Sequence, residues 1–217
     1  MPRIITVSRE FASGGRELGR YLAVELGFSY YDREIVTRMA SETGLDELYL
    51  ENQMEKSVMS PLSTHYAQSF SQIATNPDPA VQILAVQTRL LKELAEKGDC
   101  VVVGRAADVI LEGFHPFKLF VCADEASKLQ RCRERASEEE KMSDREMQRW
   151  MKRIDKARAE YHDIISTYSW GDKAGYHLCV NTTGLNLATL APAIANYYRL
   201  WEQAAHLQGA GTESNIK

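Results

Sequence analysis

The sequence has no long apolar run. Met1-Pro2-Arg3-Ile4-Ile5-Thr6-Val7-Ser8 gives only a short hydrophobic stretch before charge begins, too short for the core of a secretory signal and far too short to span a bilayer. The expectation is a protein of the reducing cytoplasm that meets no membrane. Cysteine is also scarce. The four present, Cys100, Cys122, Cys132 and Cys179, fall singly without a C-x-x-C pair, and the five histidines show no ligand spacing, which excludes a disulfide framework or a zinc site. Three of these cysteines lie in apolar runs that read as strands, so buried free thiols are expected. An excess of positive charge is missing too: 26 Lys and Arg stand against 30 Asp and Glu, a net charge of -4. That balance excludes broad binding to nucleic acid or anionic membrane and leaves local basic clusters for a small phosphorylated ligand.

What is present suits one globular domain. In 217 residues, 44% are hydrophobic and 26% charged, with no internal repeat and no interdomain linker. Residues 1–207 read as a single domain and the polar end, 208–217, as a frayed tail. Ile4 to Val7 is a β-branched run, Ser13 to Gly15 a glycine-rich turn, and Leu18, Leu22 and Leu26 recur at helical spacing up to Gly27. Phe28 to Tyr31 predicts a second strand, with Asp32 placed to cap a helix through Ile35, Val36 and Met39 to Gly44. Residues 46–76 are irregular, and Met54 and Met59 there read as packing residues.

Pro79 opens a helix expected to present Val81, Leu84, Ala85, Thr88, Leu91 and Leu94 on one face. Cys100 to Val103 is uniformly apolar, as in a central parallel strand covered on both faces. Ala106 to Glu112 predicts a helix and Lys118 to Cys122 a strand. A charge-dense helical stretch follows, with Glu138 to Glu140 facing a basic region around Arg149 and Lys152. Tyr176 to Val180 reads as the last strand and Leu187 to His206 as the last helix. Strands alternating with helices predict a parallel sheet with ligands at its carboxyl edge.

The turn Ser13-Gly14-Gly15-Arg16 can cradle phosphate, because its amides and those of the following helix start are unpaired donors. An ordinary tight strand-to-helix turn wants the same small residues. Further motifs decide in favour of phosphate. I-T-V-S-R-E-F-A-S-G-G-R-E-L-G-R, Y-D-R-E-I-V-T-R, V-V-V-G-R-A-A-D, and W-G-D with Y-H-L-C-V-N-T-T occur in that order along the chain. With them the sequence resembles the cytidylate-kinase-like family.

The resemblance implies a three-layer α/β/α fold of P-loop NTPase type, with a parallel sheet and a helical lid at about residues 133–168. It implies phosphate and ATP binding at Ser13, Gly14, Gly15 and Arg16, Arg16 standing where a P-loop lysine would. It implies substrate binding by Asp32, Arg38, Arg105, Asp155 and Arg158, with Arg105 on the acceptor phosphate and Asp155 on the base. Arg16, Arg131, Arg153 and Arg158 are the catalytic cations it implies. Several guanidinium forks around negative oxygens are what phosphoryl transfer requires.

Departures from a standard P-loop are visible. Glu17 and Leu18 replace the residues after the lysine, Glu17 being expected either to pair with Arg9 or Arg16 or to oppose ATP, and Val103 stands where cytidylate kinases carry an acidic magnesium contact. Ser8, Ser13 or Asp108 are the candidate substitutes. W-G-D, Trp170 to Asp172, reads as a turn anchoring the lid. The implied activity is transfer of the γ-phosphoryl of ATP, with Mg²⁺, to a nucleoside monophosphate such as CMP or dCMP. Two alternatives stay open: a nucleotide-binding or regulatory module that has lost catalysis, and a kinase for another small metabolite.

Overall fold

The computed structural model describes residues 2–50, 79–136 and 142–213. Met54, Met59, Glu138 to Glu140 and all but the start of the irregular segment 46–76 lie outside them. Five strands form one parallel sheet in the order β2-β3-β1-β4-β5, with β1 (Ile4–Arg9), β2 (Ser29–Tyr31), β3 (Cys100–Val103), β4 (Phe117–Cys122) and β5 (Leu178–Asn181). β1 pairs with β3 on one side and β4 on the other. The chain leaves β1 for β2 at one edge and later returns past β1 to β4, so the segments after β1 and β3 diverge around a crevice at the carboxyl end of the sheet.

Helices cover both faces, which explains the uniform apolarity of β3. Ile5, Val7, Val101, Val103, Leu119 and Val121 pack with Leu18 and Leu22 of α1 (Gly15–Leu26) and with Ile194, Ala195 and Tyr198 of the last helix. Ile4, Cys100 and Val102 face the other way, against α2 (Arg33–Thr43), α3 (Pro79–Glu96) and the short α4 (Ala107–Ile110). This is the three-layer α/β/α arrangement expected from the sequence. Two further helices, α5 (Glu125–Arg135) and α6 (Asp144–Ile165), follow β4. α6 begins in a capping box in which Ser143 and Glu146 satisfy each other's backbone amides.

Several expectations need correction. The buried face of α3 is Ile83, Gln87, Leu90, Leu91, Leu94 and Ala95, whereas Val81 is 57% exposed. A fully buried glutamine breaks the apolar period that placed the face elsewhere. β5 begins at Leu178, not Tyr176, which is instead the C-cap of the 3-10 turn Lys173–Gly175. Cys179 is exposed because β5 is an edge strand, and Cys122 is half-buried, while Cys100 and Cys132 are buried; all four are free thiols. The last helix, α7, spans Leu187–Glu213. Among the described residues no helix is long and apolar enough to cross a membrane.

Phe117 anchors the aromatic end of the core, its ring centroid 5.1 Å from Trp201, 5.5 Å from Tyr198 and 5.6 Å from His177. Phe117→Ala should cost about 3–5 kcal/mol in urea unfolding. Leu200→Ala, at a side chain 59% exposed on α7, should stay within about 0.5 kcal/mol of wild type.

Candidate active site

β1 must end and α1 must begin within a few residues, and the turn between them is held at every point. Glu10 N–H bonds Val121 C=O at 3.0 Å, and the Ser13 hydroxyl donates to Glu10 C=O at 2.8 Å. Thr182 donates its hydroxyl to Ser13 C=O at 2.6 Å. Gly14 takes φ 85, a left-handed conformation, and α1 starts directly after it. The first intrahelical bond runs from Leu18 N–H to Gly14 C=O. The amides of Gly15, Arg16 and Glu17 therefore precede the helical ladder and remain donors for a ligand.

Gly15 is required by Arg9. A Cβ at Gly15 would lie 2.5 Å from Cβ of Arg9, and a Cβ at Gly104 would overlap the Arg9 guanidinium. The Arg9 side chain thus runs from the turn after β1 to the turn after β3. That second turn is left-handed at three successive residues, Gly104 (φ 73), Arg105 (φ 61) and Ala106 (φ 48). The two non-glycine residues there cost roughly 1 kcal/mol or more each in backbone strain. Gln87 holds the turn in place, donating its amide to Arg105 C=O at 2.9 Å and to the Tyr161 hydroxyl at 2.8 Å.

Helix α6 is docked on the loop. Asp155 accepts the Phe11 amide at 2.6 Å and the Arg158 guanidinium at 3.3 Å, and Arg158 also reaches Arg9 C=O at 3.3 Å. The Phe11 ring packs edge-on against Trp150 at 4.7 Å. Arg131 of α5 donates to Thr182 C=O at 2.9 Å and Ala12 C=O at 3.4 Å. Trp170 N–H bonds Asp163 at 2.8 Å and its ring meets Phe120 at 5.2 Å, so the W-G-D turn ties the end of α6 to the core.

Between loop and α6 opens a cleft of about 740 Å³. Arg9, Arg16, Arg33, Arg105, Arg131, Arg135 and Arg158 line it, against Glu10 and Asp32 as the carboxylates among its described lining residues. A small cavity of about 40 Å³, lined by Ser8, Arg9, Arg105, Arg158, His162 and Trp170 among others, adjoins the same guanidinium cluster. Gly14 to Arg16, Asp32, Arg105, Arg131 and Arg158 are thus brought together, whereas Ser13 lies in the turn outside the lining.

Other expected site residues are placed differently. Arg16 bonds Asp32 at 2.5 Å, so the Asp32 carboxylate caps no amide of α2 although it occupies the N-cap position. Arg38 spends its charge on Glu34 at 2.6 Å, one helical turn away, and does not line the cleft. Arg153 is exposed on α6, outside the lining. Asp155 is absent from the lining too, since its carboxylate is taken up by Phe11 and Arg158. Glu17 pairs with Arg135 at 2.7 Å, not with Arg9 or Arg16, because α5 comes closer than the loop's own cations.

Sequence reasoning missed Arg9, Gln87 and His162. Arg9 had a signal, since it ends a buried strand at the ligand edge just as Arg105 follows one. His162, 2% exposed, lies between Asp108 and Asp163 at 3.0 Å each, and Tyr168 donates to Asp108 at 2.9 Å. Burial opposes the charge on both partners, but their mutual bonds prevail: His162 is raised above its ordinary value and Asp108 held below its own.

The profile of the cytidylate kinase-like family matches residues 4–184. An uncharacterized protein from Eubacterium ventriosum is similar in structure, with a TM-score of 0.64 and 24% identity, over 91% of this chain and 98% of that one. A gluconokinase from Sinorhizobium meliloti has a TM-score of 0.51 at 14% identity, covering 95% of this chain and 97% of its own. No curated protein matches.

The His162–Asp108 pair has a defined pH signature. The raised histidine stabilises the fold fully below its unfolded value of about 6.5 and ceases to do so as pH rises through the folded value; the lowered aspartate acts above about 3.9 and is lost in acid. Between about pH 6 and 9 the melting temperature of wild type should fall more steeply than that of His162→Gln. Parallel melting curves would show that the imidazole carries no charge there.

Proposed function

Because the chain belongs to the cytidylate kinase-like family, we propose that it transfers the γ-phosphoryl group of ATP to a nucleoside monophosphate, CMP or dCMP being the preferred acceptor. The carrying observation is the arginine-lined cleft at the open start of α1. A phosphate oxygen of the acceptor attacks the γ-phosphorus as the bond to the β–γ bridging oxygen breaks, giving ADP and a nucleoside diphosphate. Charge moves among oxygens throughout, so fixed cations and amide dipoles are the chemistry the protein has to supply.

In this reading Ser13 to Arg16 hold the donor phosphates, Arg105 and Arg158 the acceptor phosphate, and Arg131 steadies the loop that carries them. Asp32 orients Arg16 through their ion pair. Residues 1–207 act as one domain in which the lid, about 133–168, closes the cleft against water and so against wasteful ATP hydrolysis. The docking of Phe11 beneath Trp150 supports that closure.

Among the described residues, the side chains do not suit a magnesium ion held by the protein. The Ser13 hydroxyl is directed at Glu10 C=O, Asp108 is bound by His162 and Tyr168, Asp32 by Arg16, Glu17 by Arg135 and Glu10 by Lys128 at 3.0 Å. Among the described residues no group of three or more His, Cys, Asp and Glu could hold a metal. Mg²⁺ would enter as the nucleotide's own counter-ion.

The same pairing favours a second reading, a nucleotide-binding module without turnover, since Leu18 is fully buried where a standard loop has its hydroxyl. A coupled assay of ADP formation with ATP, Mg²⁺ and a panel of monophosphates and hydroxylated metabolites separates them. Turnover with CMP or dCMP is expected. Nucleotide binding without turnover on any acceptor would replace the kinase reading with the binding module. Arg105→Ala should raise the acceptor KM roughly tenfold to a hundredfold with little change in the KM for ATP, as the loss of one charge-assisted contact predicts. Unchanged acceptor kinetics would remove Arg105 from the site.

A further inference from the structure

Arg9 carries an unresolved charge. Its Nε is buried with no hydrogen-bond partner, and no carboxylate among the described residues forms an ion pair with it. Asp32 attracts it from a distance, but the Asp32 carboxylate is bonded to Arg16. Its near neighbours are cations. Burial first, then Arg158 and Arg105, press its pKa down to about 9, so it stays protonated at neutral pH in surroundings that disfavour a cation.

Arg9 is half-buried with its Nε out of reach of water, and a cation so placed without a counter-ion is costly unless a ligand supplies the missing charge. Two glycines are given up to admit this one: Gly15 against its stem and Gly104, at φ 73, against its guanidinium. Arg9 also lines both the large cleft and the small cavity, so it lies where the turn after β1 meets the turn after β3. Arg16, by comparison, is 53% exposed and already paired.

We propose that Arg9 is the central phosphate ligand of this chain, its guanidinium fork taking oxygens of a phosphoryl group at the junction of the donor and acceptor halves of the cleft. This deepens the phosphoryl-transfer reading of the same site. It assigns to Arg9 the role in the loop that the sequence reserves for Arg16. Arg105 and Arg158 gather around the same anion, which neutralises a cluster that otherwise repels itself.

The test is calorimetric titration of the full chain with pyrophosphate, ATP and CMP in turn, on wild type, Arg9→Met, Arg9→Lys and Arg89→Ala. Arg89 is an exposed control cation paired with Glu93 at 2.8 Å on α3. Wild type and Arg89→Ala should bind pyrophosphate alike, whereas Arg9→Met should bind it roughly tenfold to a hundredfold more weakly, as expected for a lost charge-assisted fork. Without ligand, Arg9→Met should melt at or above the wild-type temperature, because it removes an uncompensated charge; a purely structural arginine would lower it. Weakening confined to ATP and pyrophosphate assigns the bound group to the donor, and weakening confined to CMP assigns it to the acceptor. Equal affinities in wild type and Arg9→Met for all three ligands overturn the proposal, as does a wild type that binds none of them. If Arg9→Met does not fold, Arg9→Lys decides: a weaker affinity at wild-type melting temperature supports the assignment, and an unchanged affinity overturns it. Turnover is not needed for any of these readings, so an Arg9-dependent anion site in a chain that phosphorylates no acceptor would sink the kinase reading alone.

Discussion

The meeting of Arg9 with Gly15 and Gly104 is the constraint around which the ligand edge of this protein is built. A guanidinium placed across the ends of two neighbouring parallel strands fixes what can surround it. The residue opposite its stem must lack a Cβ, which puts glycine at the first position of α1. The residue opposite its tip must also lack one, and the chain there turns left-handed through Arg105 and Ala106. That strained turn needs support, and fully buried Gln87 supplies it from α3. One cation therefore ties together the start of α1, the turn after β3 and a polar residue in an apolar helix face.

The charges around the cleft follow from the same arrangement. Cations gather along the cleft, and each carboxylate named here is already held by a particular partner: Asp32 by Arg16, Glu17 by Arg135, Glu10 by Lys128, Asp155 by Arg158 and the Phe11 amide. These pairs are partly screened and each contributes little to stability. Their effect is positional. Apart from Asp155, which pairs with Arg158 itself, they hold negative charge on cations other than Arg9 and Arg105, so that the field in the crevice remains positive. Asp155 further couples the loop to α6, since the amide it accepts belongs to Phe11, whose ring is clamped by Trp150.

Much of this was legible in the sequence. The β-branched run before a glycine turn, the leucines at helical spacing and Gly27 at φ 68 as a helix stop all appear where local chemistry puts them. The uniformly apolar Cys100 to Val103 announced a strand covered on both faces, and the glycine and arginine after it marked the ligand edge. Less was legible for single polar side chains. Asp32 sits at an N-cap position yet serves Arg16, and Arg38 answers a glutamate one turn away. In each case two partners were available, and distance in space, not along the chain, selected one. The face of α3 was misplaced for a related reason, because its buried glutamine looks hydrophilic in sequence and is buried only for the sake of Arg105 and Tyr161.

By itself, then, the sequence determined the alternation of strands and helices, the family resemblance and the glycine turn, because each depends on residues within a few positions of one another. Tertiary structure alone decided which cation stands at the centre of the crevice. Arg9 and Arg16 are both arginines beside the same turn, and nothing local distinguishes them. Only the folding of β3 against β1 brings Gly104 beneath one guanidinium, and only the packing of β2 gives the other a carboxylate. A half-buried guanidinium with a shielded Nε and no counter-ion is a property of three-dimensional surroundings, and it is what separates Arg9 from the exposed, paired Arg16.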